Sequence, residues 1–309
     1  MRAQWRILVC DGLAAPGLEL LRSAAQVIES PGLEELGALD ALVVRGRTKV
    51  TEEILASGVP RLQVVGRAGV GVDNIDLDAA RALGVSVVNA PHAATTAVAE
   101  HTLALMLALA RRIPQADASM RRGEWRKADF EGAELSGKVL GLIGVGRIGA
   151  ALGERALAFG MHVIGHDPLV SAETIRGHGV EPVGLHELLS RADYISLHVP
   201  LTEATRGLIG AEAFARVKVG ARLICTARGG VVDEAALSAA LDEGRLAGAA
   251  LDVFAEEPPG ATALIAHPRV ISTPHIAAQT AEAQERASVD IAGEVLAALR
   301  GEALRWRVV

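Results

Sequence analysis

Three short stretches in the last third of the chain carry side chains that could hold an anion and move a proton: TARGG with Arg228, FAEEPP with Glu257, and TPH with His275. An imidazole with an ordinary pKa of about 6.5 exchanges a proton near neutrality. A carboxylate beside it orients the ring and favours its charged form. A guanidinium grips a carboxylate through two parallel hydrogen bonds. The three residues are separated by 29 and 18 positions, so only the fold can bring them together. The acids are crowded as well. LDVFAEEPP, residues 251–259, holds Asp252, Glu256 and Glu257 within six positions and then ends on two prolines.

A second motif supplies a partner for that chemistry. Gly144-Val-Gly146-Arg147-Ile148-Gly149 follows an apolar run, VLGLI, and opens an amphipathic one, GAALGERALAF. In a strand–turn–helix of this kind the first glycine permits the sharp turn. The second lets the backbone approach a pyrophosphate, and the third lets the helix pack close to the strand. The helix N-terminus then presents N–H groups and a positive dipole end to the phosphates. Asp167 ends the next apolar run, 18 residues beyond Gly149. A carboxylate there accepts hydrogen bonds from the adenosine ribose and repels a 2′-phosphate, which predicts NAD rather than NADP. A hydride acceptor, an anion clamp, a base and its orienter are the groups that oxidation of a 2-hydroxy acid requires.

The elements that must position these groups alternate along the chain. RILVCDG, ALVVRG, LQVVGRAGVG and VSVVNAP read as strands, with helical patterns at PGLELLRSAA, EEILASG and DLDAARALG between them. This first block ends near Pro91. A helix from about Thr95 to Arg112 follows, closed by Pro114, and then a polar segment, QADASMRRGEWRKADFEGAELSG, read as irregular. Long irregular segments inside a compact chain tend to be functional. From Lys138 a second alternation gives six strand candidates: KVLGLIGVGRIG, HVIGHDP, YISLHVP, RLICTARGG, LAGAALDVF and RVISTPH. A last helix runs from about Thr280 to Arg300 and is free to return to the first block. Repeated strand–helix–strand units mean parallel sheets. The fold class is therefore α/β, with two doubly wound parallel-sheet domains. Ligands of such sheets bind beyond the C-terminal strand ends, where Arg228, Glu257 and His275 fall.

Length and composition agree with this picture. The 309 residues suit about two domains, and 50% are hydrophobic, which gives each a sizeable core. The net charge of −6 is spread without a long run of one sign, which argues against a nucleic-acid or anionic-membrane partner. Cys10 and Cys225 lie in strand-like runs and read as buried, reduced thiols, too few for a disulfide framework or a zinc site. His101, His162, His166, His178, His186 and His198 read as structural, and no pair has a metal-ligand spacing. The apolar core of the N-terminal stretch is four residues, too short for a signal peptide. The longest apolar helical run, LALMLALA, is far below the roughly 18 residues of a membrane span. A cytoplasmic location without membrane contact is the expectation.

GRAGVGVDNIDLDAA, GLIGVGRIG, HDP, LHVPLTEATRGLI, ARGGVVDEAAL, GAALDVFAEEPP and PHIAAQTAEAQ together resemble the D-2-hydroxyacid dehydrogenases, in the family's order and spacing over nearly the whole chain. Within that family the similarity is greatest to the phosphoglycerate dehydrogenases. The resemblance implies a discontinuous, flavodoxin-like substrate domain, residues 1–94 and 281–309, and a Rossmann NAD-binding domain, residues 95–280. It implies that His275 takes the hydroxyl proton, that Glu257 holds His275, and that Arg228 binds the substrate's carboxylate and carbonyl oxygen. Around NAD it places Gly144, Gly146, Arg147, Ile148, Gly149, Asp167, Val199, Pro200, Thr226, Ala227, Asp252, Ala277 and Ala278, with Asp252 near the nicotinamide amide. Glu256 is left as a solvated acid.

For the substrate, Arg45 and Arg47 lie on a loop that resembles the R-x-R-T loop of the phosphoglycerate enzymes. Arg67 lies on the next loop, where the N–H groups of Ala68, Gly69 and Val70 form a nest-like carboxylate site. Trp125 and Lys127 match a W-x-K element that in the family reaches the partner subunit's site, so a homodimer is expected. Two positions depart from the family. Ala94 stands where asparagine is frequent, and Val70 where some relatives have threonine. The chain ends soon after the last helix, so no serine-sensing regulatory domain is expected. Oxidation of 3-phosphoglycerate is the leading expectation. A glyoxylate or hydroxypyruvate reductase is the alternative, and a non-catalytic, NAD-sensing dimeric scaffold the more distant one. A formate dehydrogenase is disfavoured, because those relatives carry glutamine at position 257.

Overall fold

The computed structural model describes residues 4–30, 32–33 and 36–309. The chain divides into two compact units, residues 1–95 with 278–309, and residues 96–277.

The first unit is built on five parallel strands: β1 (Trp5–Val9), β2 (Ala25–Glu29), β3 (Ala41–Val44), β4 (Val64–Arg67) and β5 (Ser86–Asn89). Their order is β2-β1-β3-β4-β5, the flavodoxin order. Helices α1 (Ala15–Arg22), α2 (Glu52–Gly58) and α3 (Leu77–Leu83) are the crossovers. Alternate side chains feed two cores. Ile7, Val9, Val43 and Val64 face one side with Leu21, Ile291 and Val295, and Leu8, Leu42, Val65 and Val87 face the other with Leu55 and Ala80. Burial on both faces is what a parallel sheet demands. The terminal helix, Ala281–Arg300, belongs to this unit and packs on α1 and β4. The approach is close, since a Cβ at Gly66 would lie 2.6 Å from a Val295 methyl and one at Gly17 2.4 Å from the Ser288 carbonyl oxygen.

The second unit opens with α4 (Thr95–Arg111) and α5 (Ile113–Arg121). Its strands are β6 (Val139–Ile143), β7 (His162–His166), β8 (Glu181–Pro182), β9 (Tyr194–Leu197), β10 (Ala221–Cys225), β11 (Leu246–Leu251) and β12 (Val270–Ser272). All pair in parallel in the order β12-β11-β10-β9-β6-β7-β8, a Rossmann arrangement extended by one strand, with its switch point between β6 and β9. The crossovers are α6 (Arg147–Ala158), α7 (Ala172–Gly177), α8 (Leu185–Arg191), α9 (Ala211–Arg216), α10 (Glu234–Asp242) and α11 (Ala263–Ala266), and the terminal helix of the first unit is α12.

Three expectations need correction. The first sheet has a fifth strand, β2, and the second a seventh, β8. Both are edge strands, one half polar and one only two residues long, so neither shows a clear apolar pattern. Pro114 does not close α4. The break falls at Arg112, in a left-handed conformation with φ 52°, and Pro114 sits in the first turn of α5, where a proline is tolerated. The segment read as irregular therefore begins as helix.

Cys10 and Cys225 are both buried and free, and burial, first among the causes, pushes each thiol up to about 11. Neither is a thiolate at neutral pH. Among the described residues no helix is long and apolar enough to cross a membrane. No group of three or more potential ligands is placed to hold a metal ion among them.

Candidate active site

Because β10, β11 and β12 are adjacent and parallel, the loops leaving their C-terminal ends are neighbours. Arg228 lies on the first, Glu257 on the second and His275 on the third. His275 Nδ1 is 2.7 Å from Glu257 Oε2. An ionised carboxylate only accepts, so Nδ1 donates and Nε2 is the basic nitrogen of the neutral ring. Glu257 is fixed from behind as well, its Oε1 accepting from the Phe254 N–H at 3.1 Å. Burial pushes Glu257 up, but the bonds from His275 and Phe254 outweigh it and hold its carboxyl below the usual range. The imidazole is half exposed. Arg228 anchors its guanidinium through Nη1 on the Ala227 carbonyl at 2.6 Å. Gly229 explains how the loops come so near: a Cβ there would lie 1.7 Å from the Phe254 carbonyl oxygen. Glu256 is exposed.

Asp252 has a different surrounding from the one expected. Its side chain is 0% exposed. One oxygen accepts from the Thr273 hydroxyl at 2.6 Å and the Ile276 N–H at 2.9 Å, the other from the Ala277 N–H at 2.9 Å. Burial raises its pKa, and these bonds together with one from His101 more than reverse that, so it is held ionised. It anchors the loop carrying His275 and presents no free oxygen. Thr226 likewise turns its hydroxyl inward, to Thr102 at 2.9 Å, and with Ala227 is almost fully buried. The three residues are buried with their polar side-chain atoms bonded within the protein.

The glycine loop follows β6. Gly144 has φ 93°, and a Cβ there would lie 2.6 Å from the His198 carbonyl oxygen and 3.0 Å from Val199. A Cβ at Gly149 would lie 2.2 Å from the Gly144 carbonyl oxygen. Gly146, by contrast, faces open space and is the N-cap of α6 with no side-chain cap. The first N–H groups of α6, including those of Arg147 and Ile148, therefore have room for an anion in front of them. Asp167, at the end of β7, accepts from the Val145 and Leu169 N–H groups, at 2.9 Å each. It lines a cavity of about 320 Å³ with His166, Val170, Pro182, Gly184 and Glu187. Open loop, uncapped helix and acid-lined cavity fit a dinucleotide. Val199 borders the loop, Pro200 is exposed beyond it, Ala277 is buried under Asp252, and Ala278 falls in the first unit.

The remaining substrate candidates, Lys127 apart, are in the first unit. Asp11, which sequence reasoning missed, organises the loop after β3. It accepts from the N–H groups of Arg45 at 2.7 Å and Thr48 at 3.1 Å, and from the Thr48 hydroxyl at 2.8 Å. Burial pushes it up, and those bonds with the Arg47 charge bring it below the usual range. Arg45 reaches Gln279 at 3.1 Å, while the Arg47 side chain is 82% exposed with Nε 3.8 Å from Asp11. The expected nest at 68–70 is not open. The Ala68 N–H donates to the Val44 carbonyl and that of Gly69 to the Arg67 carbonyl. Of the three, the Val70 N–H alone has no acceptor among the described residues. Arg67 folds back over Gly69, where a Cβ would lie 1.6 Å from its Nη1. Ala94 is buried. In the second unit, Lys127 starts an exposed 3-10 turn and Trp125 beside it is 81% exposed.

Residues 103–277 match the model of the D-isomer specific 2-hydroxyacid dehydrogenase NAD-binding domain. The chain is 49% identical over 304 residues to the D-3-phosphoglycerate dehydrogenase of Methanocaldococcus jannaschii, covering 96% of this chain and 58% of that protein. It spans about half to three-fifths of the length of the curated relatives it matches. A crystal structure of a Thermus thermophilus protein superposes with a TM-score of 0.89 at 37% identity, covering 98% of this chain and 100% of that one. A D-lactate dehydrogenase from Aquifex aeolicus, solved in complex with NAD and lactic acid, superposes with a TM-score of 0.85 at 32% identity, covering 96% of each chain. Strand order, glycine loop and these likenesses agree: the chain belongs to the D-isomer specific 2-hydroxyacid dehydrogenase family of NAD-dependent oxidoreductases.

Proposed function

We propose that this chain catalyses the NAD-dependent oxidation of D-3-phosphoglycerate to 3-phosphohydroxypyruvate, the first step of serine formation. The observation that carries the chemistry is the 2.7 Å contact between His275 Nδ1 and Glu257. It leaves Nε2 as the atom that takes the C2 hydroxyl proton, and gives the resulting imidazolium a carboxylate partner. Arg228 holds the substrate carboxylate and polarises the C2 oxygen. NAD, when bound, supplies the hydride acceptor. Gly146 and the first N–H groups of α6, at Arg147 and Ile148, hold its pyrophosphate. Asp167 binds the ribose, Gly144 and Gly149 shape the loop, and Val199, Pro200, Thr226, Ala227, Asp252, Ala277 and Ala278 wall the cofactor. The phosphate falls to Arg45, Arg47 and Lys127, and the carboxylate end also to Arg67 and the Val70 N–H. The phosphorylated substrate is supported by the relatives' names and by these cations. A cytoplasmic homodimer is part of the same reading. Its support is the exposed apolar run Ile113, Met120 and Trp125, which are 53%, 54% and 81% exposed.

A second reading, reduction of an unphosphorylated 2-oxo acid, draws on the near-complete overlap with the Aquifex aeolicus D-lactate dehydrogenase and on the buried, apolar Ala94. The test is NADH oxidation with 3-phosphohydroxypyruvate, hydroxypyruvate and glyoxylate. The first reading expects kcat/KM at least 100-fold higher on the phosphorylated acid. Equal values would overturn it in favour of the second, and no turnover with NADH still bound would overturn both.

A further inference from the structure

His275 sits in a left-handed conformation, φ 53°, which a residue with a Cβ adopts only when its surroundings impose it. What imposes it centres on the fully buried Asp252. The His275 N–H is shared between the Asp252 carbonyl at 2.9 Å and the Thr273 carbonyl at 3.0 Å, so the backbone beyond β11 and β12 holds the residue directly. The Asp252 carboxylate then takes the groups on either side of it: the Thr273 hydroxyl before, and the Ile276 and Ala277 N–H groups after. His101, from the middle of α4, closes the set from the far side. Its Nε2 is 3.2 Å from Thr273 Oγ1 and 3.6 Å from Asp252 Oδ1. The Thr273 proton is committed to the carboxylate at 2.6 Å, so both groups facing His101 Nε2 are acceptors, and Nε2 must be the protonated nitrogen. The chain thus runs His101 to Thr273 to Asp252 to the backbone flanking His275.

We propose that His101 and Thr273 are positioning residues: through Asp252 they fix the turn at His275 so that Nδ1 meets Glu257 and Nε2 faces the substrate. This rests on the proton-transfer role proposed for His275. A hydroxyl at position 273 does two things at once, donating to the carboxylate and accepting from the imidazole, and a methyl in its place does neither. Loss of that link leaves the buried carboxylate with fewer donors and frees the turn to relax toward an ordinary backbone conformation. Supporting residues of this kind set reactivity by geometry, since a small displacement of a base from its near-attack position lowers turnover sharply.

The experiment uses the full chain with selectively 15N-labelled histidine, and Thr273→Val, Thr273→Ser, His101→Leu and His101→Gln. The His275 signals are assigned from their loss in His275→Asn. The wild type is expected to show His275 protonated on Nδ1, and Thr273→Val to show a mixture of tautomers, with Thr273→Ser returning the wild-type pattern. In turnover, Thr273→Val is expected to lower kcat at least 30-fold and His101→Leu about tenfold, with the NADH Kd within threefold of wild type. Thr273→Ser and His101→Gln, which keep the polar link, should return to within fivefold. An unchanged His275 tautomer together with kcat within threefold in Thr273→Val overturns the proposal. So does a loss of thermal stability that tracks the loss of kcat and is not rescued by serine. If Thr273→Val fails to fold, His101→Leu decides by the same two readouts, because it leaves every bond made to Asp252 by residues 273, 276 and 277 intact. If the wild type turns over no 2-oxo acid, the reaction assigned above is wrong, while the tautomer measurement still decides the positioning chain.

Discussion

The loops after β10, β11 and β12 in the second unit and the loop after β3 in the first both carry candidate ligands for an anion, yet they are built in opposite ways. In the second unit the reactive groups bond to one another. Glu257 meets His275 on one oxygen and a backbone N–H on the other, and the loop beneath them is tied to a fully buried carboxylate. In the first unit the buried member is Asp11, which fixes the backbone of residues 45–48 and leaves the long cations outside it, Arg47 almost entirely in solvent. The difference matches two demands. Moving a proton needs an angle and a distance set before the substrate arrives. Recognition of a phosphate by exposed guanidinium groups tolerates rearrangement, because charge falls off slowly with distance. The chemistry is therefore expected to fail sharply when the second unit is disturbed, and specificity to fade gradually when the first is.

The largest break is expected at the crossing of two loops. Gly229→Ala places a Cβ against the Phe254 carbonyl, so the β10 or β11 loop must move. About 3 kcal/mol of stability and at least 100-fold in kcat/KM should be lost, measured by thermal unfolding and by turnover. A second test separates the units by pH. His198, partly buried beside the glycine loop, is pushed by burial from 6.5 down to about 4. Its folded-state value lies below its unfolded one, so its contribution is complete above pH 6.5 and is lost as the pH falls towards 4. That amounts to at most about 3 kcal/mol. Glu257, Asp252 and Asp11 are also held below their ordinary values, so their contributions are lost only as the pH falls below the usual carboxylate range. Asp290, pushed up by burial, acts with the opposite sign in the first unit. Hydrogen exchange read by mass spectrometry at pH 7 and pH 5.5 should show the second unit weakening first, and His198→Gln should remove that difference.

A smaller effect is expected from Asp11→Ala. Two N–H groups and a hydroxyl lose their acceptor, costing about 2 kcal/mol, and KM for the phosphorylated acid should rise while kcat changes little. The smallest is Arg47→Ala, with a rise in that KM of about fivefold to tenfold and no change in kcat or stability. A fall in kcat without a change in KM for either first-unit variant would erase the contrast.

The sequence was most legible where short-range spacing encodes the backbone. Gly144, Gly146 and Gly149 fall where the turn and the close helix approach need them, and the strand ends carrying Arg228, Glu257 and His275 follow from apolar runs. It was least legible where partners are remote in sequence. His101 and Thr273 are 172 positions apart, and nothing local to either indicates the other. Gly229 sits in a double glycine, and nothing local shows that one of the pair is needed for a backbone crossing. The nest at 68–70 is closed for a related reason: Ala68 continues the pairing of β4 with β3 and Gly69 bonds back to Arg67, and neither bond has a sequence signal. Edge strands β2 and β8 escaped because a half-exposed or two-residue strand shows no apolar period. A buried acid just beyond a strand, as at Asp11, is a usable signal for a loop that it organises.

If His275, held by Glu257, is the proton-transferring base of an NAD-dependent reaction at C2 of a phosphorylated acid, as proposed above, its removal must show in kcat. Steady-state kinetics of wild type, Glu257→Gln and His275→Asn with NADH and 3-phosphohydroxypyruvate test it most directly, alongside the NADH Kd of each. Losses in kcat of about 10³-fold are expected for His275→Asn and about 10²-fold for Glu257→Gln, with NADH affinity unchanged. Retention of wild-type kcat in His275→Asn would contradict it.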